Sequence, residues 1–413
     1  MQRLPNSRTH TRGILAPARE RHRGMQAFAW VSLVVAVGLL AAAILYVPRG
    51  VAALFSGVSE SRPISATVLE GTVLVQPPAT ATWQGMASRA DLAEGTRLLT
   101  DDRSRAFLRT REGSTVLLYN DTELAVQRMQ YGRFNPALQD SVLRLFQGRI
   151  QIGVALHPAA PDRRISLLAG QGRLDLGTGT YRIEMEPDGT VHLSVRQGTA
   201  LVWLGSRVLE APAGRRVVLT PAETITGPLP LERDLIRDPL LERLADASAW
   251  SAFVVTEAGT PGTVNPQPDG VWFERQTADG ATDRHGESGL VQELDRDVRD
   301  YVNLSLRADV RTDRQTLSGG GTAGTEYPLM LRLTYLDAEG REQIWATGFY
   351  HQNDAGLSVK LGRQIPPGEW ITFDHPTLLQ ETRPAPVRLR RLEVLGSGWE
   401  YRSAIRRVEL TGY

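Results

Sequence analysis

The sequence predicts an all-β ectodomain attached to one transmembrane helix. An uncharged run, Ala27–Val47, follows an arginine-rich N-terminal tail. Beyond it, short stretches alternate between apolar and polar residues and are separated by turn residues. The 39 glycines and 24 prolines, without a long helical periodicity after the run, favour many short strands.

The uncharged run is long enough to cross a bilayer. Its 21 residues would form a helix of about 30 Å, the thickness of the hydrocarbon core. Six arginines precede it against one acid, Glu20, and such an imbalance holds a tail in the cytoplasm. We therefore expect a basic cytoplasmic tail over 1–24, a membrane helix over 25–48 and extracytoplasmic domains beyond, in a single-pass protein of the bacterial inner membrane.

Two alternatives to an anchor are open at this point. A cleaved secretory signal would use the small residues Ala41–Ala43 as its cleavage site, but signal sequences have shorter apolar regions and shorter tails. A buried helix of a soluble protein would need apolar cover on every face. The length of the run and of its tail favours the uncleaved anchor.

Composition excludes several classes of site. There is no cysteine, so disulfides, thiolate nucleophiles and cysteine-ligated metals are excluded. Exported proteins of this size without disulfides are typical of the bacterial envelope. The 47 basic and 46 acidic side chains balance, which argues against a nucleic-acid partner.

The first predicted β domain covers 64–226. A short phrase recurs in it, an acid or amide followed by glycine and then a strand, at Glu70-Gly71, Gln147-Gly148 and Gln197-Gly198. Glycine in this position indicates a turn with positive φ that starts a strand. The recurrence predicts a stacked β architecture with weak internal repetition.

This domain resembles the FecR domain. The resemblance covers about 64–220 and rests on an ordered series: Glu70-Gly71, Trp83, Gly95–Asp101, Ser104–Ala106, Glu112–Ser114, Asn120–Thr122, Leu145–Gly148, Gly179–Ile183, Gln197-Gly198 and Ala213-Gly214. It implies an all-β extracytoplasmic domain of a membrane-anchored bacterial protein linked to signalling or to the envelope. In the founding type a cytoplasmic domain binds a sigma factor, whereas the tail here has only about 24 residues, too few for a folded domain.

A helical, proline-flanked linker is predicted over 227–249. Leu231–Arg237 and Pro239–Ala247 each have the composition of a short charged helix, and Asp238 is a candidate N-cap for the second.

The second predicted β domain covers 250–413. Apolar residues alternate with polar ones from Tyr301 to Arg311, which predicts a strand with Val302, Leu304, Leu306, Ala308 and Val310 buried. Leu329–Tyr335 repeats the pattern. Long strands with loops of varying length predict a jelly-roll-like β-sandwich, which resembles galactose-binding-like or carbohydrate-binding sandwiches.

Aromatic residues of this domain are the candidate ligand-binding residues. Rings with an apolar face and a polar edge suit the faces of sugars and also protein partners, while the alternative is that they fill the core. Alternation places Trp345 and Phe349 on one strand face and Tyr350 on the other. The candidates are Trp345, Tyr350, Trp399, Trp272 and Trp370.

No catalytic residues, metal site or cofactor are predicted. The histidines and carboxylates form no recognisable catalytic or zinc motif. Asp283, Glu287, Asp295 and Asp297 are a minor alternative as calcium ligands. The sequence therefore predicts a non-enzymatic envelope protein whose ectodomain binds a glycan or an envelope protein, with the FecR-like domain as scaffold. The alternatives are a FecR-type signalling protein and, less favoured, an envelope enzyme.

Overall fold

A computed structural model describes residues 21–56, 59–132, 139–158, 160–161, 163–244, 249–256, 259–277 and 285–413. The chain divides into two compact units, the first ending at Leu229 and the second running from Pro230 to Tyr413. Apart from one long N-terminal helix and one short helix, the described elements are strands. The predicted fold class, an all-β ectodomain after one apolar helix, is confirmed.

The N-terminal helix, α1, extends over Arg21–Ser56. Within it Phe28–Val47 has a mean hydropathy of 2.6 and none of it is buried by the protein. A helix that is apolar on every face has no favourable contact with water, so this segment is a candidate membrane span or a signal sequence.

The described residues of the first unit form eighteen strands. They are β1 Ser59–Ser61, β2 Ile64–Glu70, β3 Val73–Gln76, β4 Gln84–Gly85, β5 Arg89–Leu92, β6 Arg97–Thr100, β7 Arg105–Arg109, β8 Thr115–Leu118, β9 Glu123–Gly132, β10 Gln139–Val154, β11 Ile165–Ala169, β12 Gly172–Leu176, β13 Gly179–Met185, β14 Val191–Gln197, β15 Thr199–Leu204, β16 Arg207–Pro212, β17 Arg215–Thr220 and β18 Thr224–Pro230. Strict alternation, as in β14, places the apolar residues on one face of the strand, where they join a continuous core.

Strand β10 belongs to two sheets. Its first half pairs with β9 and, in parallel, with β11. From Gly148 onward it pairs with β13, and from Ile150 with β8. Gly148 has φ +87°, a backbone conformation that favours glycine.

The three repeated glycines all have positive φ, as predicted. Gly71 and Gly198 lie in turns that start β3 and β15. Gly148 differs, because it lies inside β10 beside a register shift at Leu145 and Gln147. The prediction of a strand start at Gly148 is therefore wrong: the glycine bends a continuing strand instead of beginning one.

The second unit contains twelve strands and a one-turn helix among its described residues. They are β19 Arg233–Asp234, β20 Ser251–Thr256, β21 Thr263–Gln267, β22 Gly270–Arg275, β23 Gly286–Asp297, β24 Leu304–Gln315, β25 Leu329–Leu336, β26 Glu342–Tyr350, β27 Gly362–Gln364, β28 Ile371–His375, α2 Leu378–Glu381, β29 Arg388–Gly398 and β30 Tyr401–Gly412.

These strands form a sandwich of two sheets. Sheet I has the order β21-β22-β30-β24-β28, with β19 paired to β30, and sheet II has the order β20-β23-β29-β25-β26-β27. Alternate residues of both sheets meet in one core, to which β24 contributes Leu304, Leu306, Ala308 and Val310 as predicted. Val302 is an exception: it is 60% exposed and precedes the first residue of β24.

The predicted helix at Leu231–Arg237 is wrong. Arg233 and Asp234 pair with Gly412 and Thr411 of β30, and Leu235, Ile236 and Leu241 are buried in the sandwich core. Long-range pairing outweighs the helical propensity of this charged stretch. In the second predicted helix, Pro239–Arg243 is not helical and Leu244 lies in a turn, while residues 245–248 lie outside the described residues.

Candidate ligand-binding groove

A groove of about 680 Å³ opens at the edge of sheet I. Its walls are Leu240–Glu242 and Pro266–Asp269, which comprises the end of β21 and the turn after it; the remaining lining comes from Gly270, Val271 and Arg406. The turn is a two-residue hairpin, because Gln267 pairs with Gly270 across it. Such a volume is within the range of small-molecule sites, about 300–1,000 Å³.

The Leu240–Glu242 wall is fixed by its own hydrogen bonds. The Asp238 carboxylate accepts hydrogen bonds from the backbone N–H of Glu242 at 3.1 Å and of Arg243 at 2.8 Å. The Trp250 indole donates to the Asp238 carbonyl at 3.1 Å, and the Val408 N–H donates to the Pro239 carbonyl at 2.9 Å. The wall is therefore attached to β30 and to the core rather than free.

Trp370 lies beside the groove, immediately before β28. A Cβ added to Gly270 would lie 3.1 Å from the Cη2 atom of Trp370, so the indole packs directly on the start of β22. The Arg406 guanidinium lies 4.8 Å from the centre of the Trp370 ring, and the Arg406 side chain is 48% exposed. The half-buried indole and this guanidinium form a stacked pair at the groove.

The buried carboxylate of Asp309 orients Arg406 through a hydrogen bond. This carboxylate is only 5% exposed and accepts hydrogen bonds from Thr372 Oγ1 at 2.7 Å, Arg407 Nη2 at 3.0 Å and Arg406 Nε at 3.3 Å. Burial acts to raise the pKa of Asp309, but the hydrogen bonds from Thr372, Arg407 and Arg406 outweigh it and lower that pKa below its ordinary value. Asp309 is therefore ionised near neutral pH.

Trp272 supports the groove rather than lining it. It lies on the outer face of β22 and is only 4% exposed. The guanidinium groups of Arg402 and Arg311 lie 4.6 and 5.2 Å from the centre of its ring, and its Nε1 donates to Asp269 Oδ1 at 3.0 Å. The ring fixes Asp269 at the groove wall.

The other three aromatic candidates lie elsewhere in the second unit. Trp345 packs against the sandwich core with Phe349, 5.3 Å from the His375 ring. Tyr350 is on the opposite face, 9% exposed, in a small apolar cluster with Tyr327. The predicted division of Trp345 and Phe349 from Tyr350 is confirmed. Trp399 lies in the turn between β29 and β30, where its carbonyl accepts a hydrogen bond from Arg275 at 2.9 Å.

The ion pairs of Glu287, Asp295 and Asp297 argue against the calcium site that was considered as a minor alternative. Glu287 pairs with Arg332 at 2.8 Å, Asp295 with Arg388 at 2.5 Å, and Asp297 with Arg299 at 2.6 Å. Asp283 lies outside the described residues. Carboxylates neutralised by arginine are poor ligands for a divalent cation.

Sequence reasoning missed the arginines and acids of the groove. The outer face of β30 presents Arg406, which lines the groove, and Arg402, which lies over Trp272. Asp269 directly follows Pro268 in the hairpin turn. The signal was present as polar residues alternating with apolar ones in β30. What the alternation does not reveal is which aromatic ring, on another strand, each arginine covers.

Comparison with known proteins gives only distant similarities. No protein-family model matches the chain. The urease accessory protein UreD of Cupriavidus metallidurans is 25% identical over 230 residues, which are 47% of this chain and 73% of that protein.

Two solved structures illustrate the structural similarities. One is an anti-sigma-factor candidate from Parabacteroides distasonis, with 12% identity and a TM-score of 0.29 over 37% of this chain and 73% of that one. Another is a family 11 carbohydrate-binding module from Clostridium thermocellum, with 12% identity and a TM-score of 0.24 over 42% of this chain and 94% of that one. Scores this low support no argument about function, and the FecR resemblance stays a prediction.

Proposed function

We propose that this chain is a non-enzymatic, membrane-anchored protein of the bacterial envelope whose second unit binds a glycan in the groove beside Trp370. The observation that carries the proposal is the pairing of Trp370 with the half-exposed Arg406 at a groove of about 680 Å³. In this proposal the first unit is the scaffold between the anchor and the binding unit.

The chemistry of the groove suits a sugar. Sugars present C–H-rich faces that pack on aromatic rings and hydroxyl groups that need both donors and acceptors. Trp370 offers a ring beside the groove. Within the lining, Arg406 offers planar N–H donors, and Asp269, Gln267 and Glu242 offer oxygen acceptors. Because both signs of charge are represented, the groove favours a neutral or weakly charged glycan over a strongly anionic one.

The anchor follows from the apolar helix. The segment Phe28–Val47 is uncharged, and none of it is covered by protein, which supports a membrane span. The arginine-rich tail before it favours a cytoplasmic N-terminus and extracytoplasmic β units.

The test is a glycan and cell-wall-fragment array probed with the full chain in neutral detergent. Trp370→Ala should weaken binding about tenfold or more, corresponding to roughly 1.4 kcal/mol. Trp203→Ala is the matched control, because Trp203 is a surface tryptophan of the first unit with 37% exposure. Circular dichroism would verify that both variants are folded.

Three outcomes would contradict the proposal. The first is an array without any binding, which would favour a protein partner. The second is binding that Trp370→Ala leaves unchanged. The third is an equal loss in Trp203→Ala.

A further inference from the structure

We propose that a second groove, in the first unit, binds the anionic phosphodiester headgroup of a lipid in the membrane that anchors the chain. The groove has a volume of about 550 Å³ and includes Arg62, Arg89, Arg109 and Arg111 in its lining. The inference rests on the proposed membrane anchor and is separate from the proposed glycan groove.

Strand pairing brings Arg89, Asp91 and Arg109 to one face. Ser65 of β2 lies between Asp91 of β5 and Arg109 of β7. Ile64 and Ala66 point into the core, so alternation turns Ser65 and its two cross-strand neighbours outward.

The lining has an excess of positive charge. Against its four arginines stand two acids, Glu60 and Asp91, which leaves a net charge of +2. Glu60 forms an ion pair with Arg62, whose Nε lies 3.0 Å from the Glu60 carboxylate. The Arg89 Nε donates to Ser65 Oγ, a neutral acceptor, at 3.3 Å.

Arg109 and Arg111 are the residues that indicate a ligand. Both are exposed, and neither side chain has a hydrogen bond or ion pair to another residue in the described part of the chain. Guanidinium groups bind phosphate oxygens through paired N–H donors, with a geometry that a single ammonium cannot offer. The neighbouring hydroxyls of Ser61 and Ser65 add short-range donors for the same oxygens.

Chain connectivity holds the start of β1 within about 25 Å of the end of the apolar segment. The apolar segment ends at Val47, and the helix continues for nine residues, about 14 Å, to Ser56. Strand β1 begins at Ser59, three residues after the helix, a further span of about 11 Å at most. Strand β1 is fixed by its pairing with Gln130–Gly132 of β9, and Glu60 and Ser61 of β1 line the groove. Because the bilayer surface is a dense source of phosphodiesters, its lipid headgroups are the favoured occupant over free phosphate.

The experiment titrates the full chain in neutral maltoside micelles by calorimetry. The three titrants are short-chain phosphatidylglycerol, its phosphatidylcholine counterpart and inorganic phosphate. We expect phosphatidylglycerol to bind most tightly, and its affinity to fall as salt is raised. The double variant Arg109→Gln/Arg111→Gln should weaken this binding about tenfold.

The control is Arg103→Gln/Arg207→Gln, which removes the same charge from two exposed arginines outside the groove. Equal affinity for both lipids, or an equal loss in the control, would overturn the proposal. Inorganic phosphate binding as tightly as phosphatidylglycerol would overturn the lipid as its source. Alkaline extraction of membranes tests the anchor separately: release of the chain would contradict the anchor, while the titration reads the groove itself.

Discussion

The Nε of Arg406 donates a 3.3 Å hydrogen bond to Asp309, so a buried carboxylate of β24 fixes the guanidinium that stacks on Trp370. Arg407 donates to the same carboxylate at 3.0 Å. One acid therefore accepts hydrogen bonds from two adjacent arginines and leaves the exposed side of Arg406 available for a ligand. The groove depends on a residue that a ligand does not reach.

Asp309→Asn should weaken glycan binding although it lies below the groove. The substitution removes the charge that orients Arg406. The buried side chain at position 309 also loses part of its hydrogen bonding, which should lower the free energy of unfolding by about 1–2 kcal/mol. Glycan affinity and urea denaturation measure the two effects. Asp374→Asn, an exposed acid of β28, is the control, and equal effects of the two variants would contradict the orienting role.

The stability of the second unit should fall as pH rises through about 6 because of Asp234. Burial raises the pKa of Asp234 from 3.8 to about 6. Hydrogen bonds from the Ile236 and Leu410 N–H groups act in the opposite direction but do not outweigh burial. A raised carboxyl pKa means that the fold favours the protonated form. Its stabilising contribution is therefore complete below the unfolded pKa and is lost as pH rises through the folded pKa.

Asp234→Asn keeps the oxygen acceptor without the charge. It should be more stable than the parent chain by about 1 kcal/mol near neutral pH, after solvent screening is allowed for. The difference should vanish near about pH 4. Urea denaturation across this range is the measurement, with the exposed Asp354→Asn as control. A constant difference at every pH would contradict the assignment.

Tyr401 and Ser288 should be energetically coupled inside the sandwich. Their hydroxyl oxygens lie 2.8 Å apart, and burial raises the pKa of Tyr401 to about 12, so the phenol is neutral. Tyr401→Phe should cost about 1 kcal/mol. In a double-mutant cycle with Ser288→Ala, the second substitution should cost less in the presence of the first. Strictly additive costs would contradict the coupling.

Gly148→Ala should destabilise the first unit strongly. The added Cβ would lie 2.4 Å from the Asp121 carbonyl oxygen and 2.5 Å from Thr122 Oγ1, at φ +87°. Gly214→Ala separates the backbone strain of a positive φ from the steric clash of the added Cβ. Gly214 also has positive φ, +75°, but its Cβ would meet nothing within 4 Å. We expect the control to lose about 1 kcal/mol and Gly148→Ala to lose several times more in thermal denaturation; similar losses would contradict the steric argument.

Local patterns predicted local structure well. Alternation in β24 identified Leu304, Leu306, Ala308 and Val310 as one buried face. It also separated Trp345 from Tyr350. Patterns near element ends were less informative: Val302 continues the alternation in sequence, yet it is exposed because the strand has not begun.

Features that depend on distant partners could not be predicted. The charged stretch at Arg233 has helical composition, but its pairing with residues at the other end of the unit decides its conformation. The groove likewise joins Asp269 and Arg406, and Arg406 in turn contacts Trp370 beside the groove; three separate segments contribute these residues. Their composition indicated binding chemistry in general, whereas only the strand order brings these particular side chains together.

Strand β10 couples the two sheets of the first unit, so that they should unfold together. Its two halves serve different sheets, so neither sheet can lose its order without removing hydrogen-bonding partners from the other. The amide protons of β10 should therefore exchange with solvent only when the whole unit opens, and they should exchange together. A fragment that ends within this strand would leave both sheets with an unpaired edge, and such edges favour aggregation.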